Sequence, residues 1–161
     1  MIVTGHDLTR IARTIAVAPW SFTTAVAAPE DADDAFALDA SPRRWRLALS
    51  RIQFERSASP QCAFLLRLPG GNARCGLGEG RPAACRAFPN EGGAETCSCS
   101  WEGVPLDDAA ASDAAASLAR ERDRYARAIA RWNAYVAVAG TSLEVRDLCR
   151  FLLDAYGSGE T

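Results

Sequence analysis

The sequence predicts a mainly α fold: a small helical domain with an irregular, cysteine-rich insert that can include a short β-hairpin. Two capping-box motifs, Thr4-x-x-Asp7 and Thr141-x-x-Glu144, each precede apolar residues at helical spacing. Between them, the second half of the chain carries a long apolar stripe with helical periodicity. With 161 residues and 48% apolar content, the chain has the size of one domain that buries its own core. We therefore expect residues 1–161 to form a single domain.

The first predicted element is a helix over about residues 5–17. Leu8, Ile11 and Ile15 share one face of this helix, and Pro19 ends it. The single histidine, His6, falls in the exposed first turn. We interpret it as a solvated surface residue rather than a metal ligand.

The middle of the chain has weaker signals. Residues 27–43 are predicted to be mostly loop, and residues 45–54 alternate in part, which is typical of a strand or a short helix. The apolar run at residues 62–68 predicts a buried strand. The turn signal Gly70-Gly71-Asn72 then allows these runs to form a small hairpin.

The C-terminal part, about residues 108–157, is predicted to be a helical hairpin. Its first helix carries an inward-facing stripe of five residues: Leu118, Tyr125, Ile129, Trp132 and Val136. Gly140 is the expected residue just past that helix, and the second capping box opens the final helix at once. So short a turn predicts that the two helices pack antiparallel.

Charge and hydropathy exclude several classes of protein. All 18 basic residues are arginine, so Schiff-base chemistry and a phosphate-binding loop lysine are excluded. The net charge of −2 supplies no overall basic field, which argues against a nucleic-acid partner. Neither a membrane-spanning run nor a secretory signal is visible, so we expect a cytoplasmic protein without a membrane partner.

Cysteine placement is the most informative feature of the sequence. Five of the six cysteines lie in the segment 60–101, and they are Cys62, Cys75, Cys85, Cys97 and Cys99. In a reducing compartment, clustered thiols are more often metal ligands or catalytic groups than disulfides. Four thiolates hold either a zinc ion or an iron–sulfur cluster. Because no C-x-x-C pair is present, reduced cysteines without a metal are the competing interpretation.

Individual cysteines differ in their expected roles. Cys85 is expected in the first turn of a short helix that starts at Pro82, where the helix dipole lowers the pKa of a thiol. Cys97 and Cys99 share a face of an extended chain, so either can be the fourth ligand. Cys149 falls on the apolar stripe of the final helix and is predicted to be a small core residue. Three arginines flank the thiols and are expected to offset the charge of a thiolate site: Arg74, Arg81 and Arg86.

Three cysteine-bearing segments, in order, resemble the YkgJ-type cysteine-cluster family. They are Cys62-Ala-Phe-Leu, Arg74-Cys75-Gly76-Leu and Arg81-Pro82-x-x-Cys85-Arg86-x-Phe88-Pro89. Two flanking segments resemble the family's first and late helices: Thr4-x-x-Asp7-x-x-Arg10-Ile11 and Arg131-Trp132-Asn133. Members of this bacterial-type family are described as zinc- or iron-chelating proteins, with flagellin lysine-N-methylases as distant relatives. The resemblance implies a metal-binding cysteine-cluster protein that holds an iron–sulfur cluster or zinc through the clustered cysteines.

The chain departs from this family in one respect. The family usually opens with a C-x-x-C-x-x-C-C run before its first helix, whereas this chain starts at Met1 directly on that helix. Three explanations stay open: a start placed too late, loss of the site, or a reduced site built from the remaining cysteines. We expect substoichiometric metal binding by the chain as given and full binding by an upstream-extended form. Two alternative functions are a cluster-dependent, methylase-like protein-modifying enzyme and a helical interaction module with vestigial cysteines.

Overall fold

A computed structural model describes residues 1–54, 59–69, 73–87 and 108–157, with the backbone alone described at 87, 108–111 and 114. Two short 3-10 turns, Pro19–Ser21 and Gly78–Gly80, connect the regular elements. In chain order, the helices and strands are α1 (Gly5–Ile15), β1 (Thr23–Ala27), β2 (Trp45–Leu49), β3 (Arg51–Ile52), β4 (Gln61–Cys62), β5 (Leu65–Arg67), β6 (Ala73–Cys75), α2 (Ala83–Ala87), α3 (Asp108–Ala139) and α4 (Val145–Gly157).

The prediction of a mainly α fold is wrong. The described residues include six strands as well as four helices, and the strands form three antiparallel two-stranded sheets, so the fold is mixed α/β. The pairs are β1 with β2, β3 with β4, and β5 with β6. These strands are two to five residues long, and an alternating pattern this short is hard to distinguish from a segment of helix.

Helix α1 begins as its capping box predicts. The Thr4 hydroxyl accepts a hydrogen bond from the Asp7 amide (3.3 Å), and the Asp7 carboxylate accepts one from the Thr4 amide (3.2 Å). The helix ends at Ile15 because Ala16 adopts a left-handed conformation with φ of +53°. Pro19 then starts the first 3-10 turn.

Strands β1 and β2 form the longest ladder in the described part of the chain. Thr23 lies opposite Leu49, and Ala27 lies opposite Trp45. Residues 45–49 are therefore a strand, one of the two structures predicted for them. The 27–43 connection is mostly loop, as predicted, although Phe36 forms an isolated bridge with Trp45 and is fully buried.

The predicted buried strand over residues 62–68 is wrong. A turn at residues 63–64 divides it into β4 and β5, and Leu66 in β5 is 46% exposed. A hairpin is present around the predicted turn, because Leu65 pairs with Cys75 and Arg67 pairs with Ala73, but its second strand, β6, was not among the predicted runs. The two predicted runs instead pair with each other at Arg51–Ile52 and Gln61–Cys62. The predicted turn, residues 70–72, lies outside the described residues.

The C-terminal helices pack antiparallel, as predicted. Arg124 of α3 lies 4.2 Å from the ring centre of Tyr156, near the end of α4. Trp132, further along α3, lies 5.5 Å from the earlier Phe151 ring. The predicted stripe of α3 is buried over its whole length: Leu118, Tyr125, Ile129, Trp132 and Val136.

The connection between these helices differs from the prediction in one detail. Gly140 has φ of +65°, which fits its predicted place after α3. Helix α4, however, begins only at Val145. There the Asp147 carboxylate accepts a hydrogen bond from the Glu144 amide (3.0 Å), so the predicted box at Thr141 does not cap the helix.

Polar contacts fix α3 against the 27–43 loop. The Trp132 indole donates to the Ala37 carbonyl (2.8 Å). The Asn133 side chain accepts from the Ala37 amide (2.8 Å) and donates to the Ala35 carbonyl (3.0 Å). Among the described residues, every helix is too short or too polar to cross a lipid bilayer.

Candidate metal centre

Three of the five predicted ligands lie in the described part of the chain, each on a different short element. Cys62 ends β4, Cys75 ends β6, and Cys85 lies in α2. The β5–β6 pairing places Cys75 opposite Leu65, and the Gly76 amide donates to the Phe64 carbonyl (2.7 Å). Because Cys62 comes shortly before Leu65, both thiols lie near the open end of this hairpin. Cys62 and Cys75 are partly buried against the apolar core.

Asp7 attaches α2, and with it Cys85, to the first helix. Its Oδ1 atom accepts hydrogen bonds from the Ala83 amide (2.8 Å) and from Arg10 Nη2 (2.7 Å). Arg10 Nη2 also donates to the Arg81 carbonyl (2.6 Å). The Asp7 side chain is 1% exposed, so its own two bonds are shielded from water, whereas the Arg10–Arg81 bond is exposed. Asp7 thus satisfies an N-terminal amide of α2 as well as capping α1.

Sequence reasoning identified only the α1 half of this arrangement. The Asp7–Ala83 bond spans 76 positions, and a contact between such distant residues has no periodic or spacing signal. Arg10 was not among the arginines expected near the thiols, although its guanidinium is the one that bonds to the cysteine-bearing loop. The three that were expected there have exposed side chains: Arg74, Arg81 and Arg86.

The electrostatic environment places Cys85 close to the other two thiols. Burial raises the pKa of Cys85 to about 11, and the proximity of Cys75 and then Cys62 contributes in the same direction. The expectation that a helix dipole would lower this pKa is therefore wrong. Helix α2 is only five residues long, and the desolvation of a buried thiol outweighs the weak field of so short a helix. The thiol of Cys85 is neutral at neutral pH.

Met1 lies in the same part of the fold as the three cysteines. The Met1 carbonyl accepts a hydrogen bond from the Leu49 amide (3.0 Å), which adds residue 1 to the edge of β2. Burial, followed by the charge of Arg51, lowers the pKa of the Met1 amino group, whereas Cys62 and Cys85 act in the opposite direction. The Met1 amino group is therefore within electrostatic range of Cys62 and Cys85.

The described residues do not form a finished metal site. Within ranges 1–54, 59–69, 73–87 and 108–157, no three His, Cys, Asp or Glu side chains are arranged as ligands of one metal ion. Cys62, Cys75 and Cys85 share a region and are free thiols. The two remaining predicted ligands, Cys97 and Cys99, lie outside the described residues, as do Phe88 and Pro89 of the motif.

Cys149 lies away from this group, in the core, as its helical spacing predicts. It is 0% exposed, and its sulfur is 3.8 Å from the Thr23 hydroxyl. Burial raises the pKa of this thiol, and the Thr23 contact partly opposes that effect. Cys149 is a packing residue.

A comparison with protein-family models, with curated proteins and with solved structures finds no significant match. The resemblance to the YkgJ-type family therefore stays a prediction from sequence segments.

Proposed function

We propose that the chain is a cysteine-cluster protein that binds an iron–sulfur cluster or a zinc ion. Cys62, Cys75 and Cys85 are the proposed ligands, with Cys97 or Cys99 to complete the set. The main support is that three cysteines from three separate elements lie close enough for the charges of Cys75 and Cys62 to affect Cys85. A cluster would serve electron transfer, and a zinc ion would stabilise the fold; in both cases the chain's own contribution is the thiolate cage.

The chemistry of the region favours sulfur as the only donor type. Asp7 is the carboxylate near Cys85, but its two oxygens already accept hydrogen bonds from Thr4, Arg10 and Ala83. Thiolates are the usual ligands of structural zinc and of iron–sulfur clusters. A set of cysteines therefore fits either group in kind.

Among the described residues, Cys62, Cys75 and Cys85 are not arranged as ligands of one metal ion, so in this proposal binding completes the site. Gaps of about ten residues separate the ligands along the chain, and closing each loop costs conformational entropy. Binding also requires deprotonation of Cys85, whose pKa is raised. The free energy of metal binding would offset both costs, as it does in small domains that fold around zinc.

The proposed ligands are tested by metal analysis of protein purified without oxygen. We expect substoichiometric metal in the parent chain, with visible absorption for an iron–sulfur cluster and a colourless protein for zinc. Cys62→Ser, Cys75→Ser and Cys85→Ser should each lose most of it. Cys149→Ser is the matched control, because it removes a thiol from the core and should retain the metal.

Full metal retention by a folded Cys85→Ser protein would refute this ligand set. A parent chain without metal that folds normally would instead support the interaction module with vestigial cysteines. A cytoplasmic location belongs to the same proposal, since a reducing compartment keeps clustered thiols available as ligands.

A further inference from the structure

A cavity of about 330 Å³ lies between the start of the chain, the 27–43 loop, β2 and α3. Its charged and aromatic lining includes Asp33, Asp34, Arg46, Arg122 and Tyr125. The volume is at the lower end of the range of small-molecule sites, roughly 300–1,000 Å³, and well above the ~30 Å³ of one water molecule. The cavity is therefore large enough for a small organic ligand.

Two polar atoms of this wall have no hydrogen-bond partner among the described residues. One is the hydroxyl of Tyr125, a residue that is only 2% exposed. The other is Asp34 Oδ1. The second oxygen of the same carboxylate, Oδ2, accepts two hydrogen bonds from Arg46, at 2.9 Å from Nε and 2.6 Å from Nη2. Arg10 Nε and the Tyr156 hydroxyl are also unpartnered among the described residues, but neither residue lines the cavity. Because buried polar atoms are almost always paired, Asp34 Oδ1 and the Tyr125 hydroxyl are the two atoms whose partner can be a molecule in the cavity.

Asp34 and Tyr125 both line the cavity, and they lie close enough for the charge of one to affect the other. Burial raises the pKa of Tyr125, and the charge of Asp34 is the next cause. The hydroxyl therefore stays protonated at neutral pH and offers an acceptor lone pair beside the carboxylate. Asp33 adds a second acidic side chain to the lining, while Arg46 is already engaged by Asp34.

Asp34 Oδ1 and the Tyr125 hydroxyl oxygen can both accept a hydrogen bond, and the negative charge of Asp34 favours a cationic donor. A primary ammonium carries three N–H donors and no acceptor, which matches a carboxylate oxygen and a phenol oxygen. We infer that the cavity binds a small organic molecule through a primary ammonium group that donates to Asp34 Oδ1 and to the Tyr125 hydroxyl. Arg122 also lines the cavity, so ligands with and without a carboxylate at the other end need to be compared. The inference does not rest on metal binding.

Three probes with the same four-carbon chain test the ammonium requirement on the full chain. They are n-butylammonium chloride, 4-aminobutyrate and sodium butyrate, compared at equal ionic strength and neutral pH by calorimetry and ligand-observed NMR. We expect n-butylammonium, 4-aminobutyrate or both to bind, and butyrate to bind at least tenfold more weakly, because a carboxylate alone meets Asp33 and Asp34. Binding of 4-aminobutyrate alone would identify a zwitterionic ligand class.

Substitutions then locate the bound ammonium. We expect Asp34→Asn to weaken binding by about tenfold or more and Tyr125→Phe by a smaller factor, since each removes one acceptor. Tyr156→Phe is the matched control: Tyr156 is also buried with an unpartnered hydroxyl among the described residues, but it does not line the cavity. It should bind the probes like the parent chain.

Several results would overturn the inference. They are the absence of binding by all three probes up to about 10 mM, butyrate binding as tight as n-butylammonium binding, and unchanged affinity in Tyr125→Phe and Asp34→Asn. Tyr125→Phe keeps the aromatic ring in the core, so it remains a valid test if Asp34→Asn fails to fold.

Discussion

Cysteine side chains differ in burial between two regions of the molecule, the helical core and the cysteine edge. The helical core consists of α1, α3 and α4 with the β1–β2 sheet, and the cysteine edge consists of β3 to β6 and α2. In the helical core, Cys149 is fully buried among apolar side chains. In the cysteine edge, three thiols are only partly buried on elements of five residues or fewer. A cysteine is a packing residue in the first region and is available for chemistry in the second.

The difference follows from how each region is stabilised. Helices α3 and α4 bury continuous apolar stripes, whereas an isolated two-stranded hairpin is marginally stable in water. The cysteine edge therefore depends on contacts with the helical core. Phe64 meets Phe22 edge to face, with ring centres 6.0 Å apart, and Asp7 bonds to the first turn of α2. The predictions below test this dependence, from the largest expected effect to the smallest.

Removal of the central tryptophan should destabilise the whole protein. Trp132 is 1% exposed, and its indole donates to the Ala37 carbonyl, so Trp132→Ala leaves both a large cavity and an unpaired carbonyl. We expect a loss of about 4 kcal/mol in the free energy of unfolding, measured by urea denaturation. Tyr135→Ala, on the same helix but 54% exposed, should cost less than about 1 kcal/mol. Similar costs for the two variants would mean that α3 does not carry the core.

Substitution of Asp7 should affect both regions, because Asp7 caps α1 in the helical core and bonds to α2 in the cysteine edge. Asp7→Ala removes the acceptor of the Thr4 amide, Arg10 and the Ala83 amide, and we expect it to cost about 3 kcal/mol. It should also release α2, so that Cys85 reacts faster with a thiol reagent when labelling is followed by mass spectrometry.

Asp147→Ala is the control for this experiment. It removes the bond at the start of α4, costs about 1 kcal/mol, and should leave Cys85 labelling unchanged. Unaltered labelling of Cys85 in a folded Asp7→Ala protein would contradict the role of Asp7 as the attachment of α2.

The two regions were also unequally predictable from sequence. Helix α3 repeats its apolar spacing from Leu118 to Val136, and the capping box at Thr4 is a local motif, so both α3 and α1 could be located. The strands of the cysteine edge have two or three residues, which is too short for an alternating pattern. Their existence depends on pairing with distant chain, and a single sequence does not show that.

The sequence predicts which residues form the candidate site, and that set stays a prediction, but it does not predict their environment. The five clustered cysteines were identified from spacing, and three of them share one region of the fold. The direction of the pKa shift of Cys85 was predicted wrongly, because burial is a property of the tertiary fold that local sequence does not contain. The Asp7–Ala83 bond was missed for the same reason.

The pKa of Cys85 predicts a pH dependence of stability in metal-free protein. The folded pKa of about 11 exceeds the ordinary value of 9.0, so the folded state holds this proton more tightly. Its contribution is fully present below pH 9 and is lost as the pH rises to about 11, by roughly 2 kcal/mol in total. The measurement is urea denaturation across this interval in the presence of a chelator.

Cys85→Ser serves as the reference, because serine does not titrate there. Burial also raises the pKa values of Tyr125, Tyr156 and Cys149, but both proteins share those groups. The parent chain should therefore lose stability more steeply than the variant, and equal slopes would show that Cys85 is not desolvated.

The smallest expected effect belongs to Cys149. Cys149→Ala removes one sulfur atom from a fully buried site, and we expect a loss of about 1 kcal/mol in the free energy of unfolding. The cost stays low because the Thr23 hydroxyl keeps its hydrogen bond to the Pro19 carbonyl (2.8 Å), so no polar group is left unpaired. The metal content of the variant should equal that of the parent chain. Loss of metal from folded Cys149→Ala protein would contradict the division between packing and chemical cysteines, because it would couple the helical core to the proposed ligands.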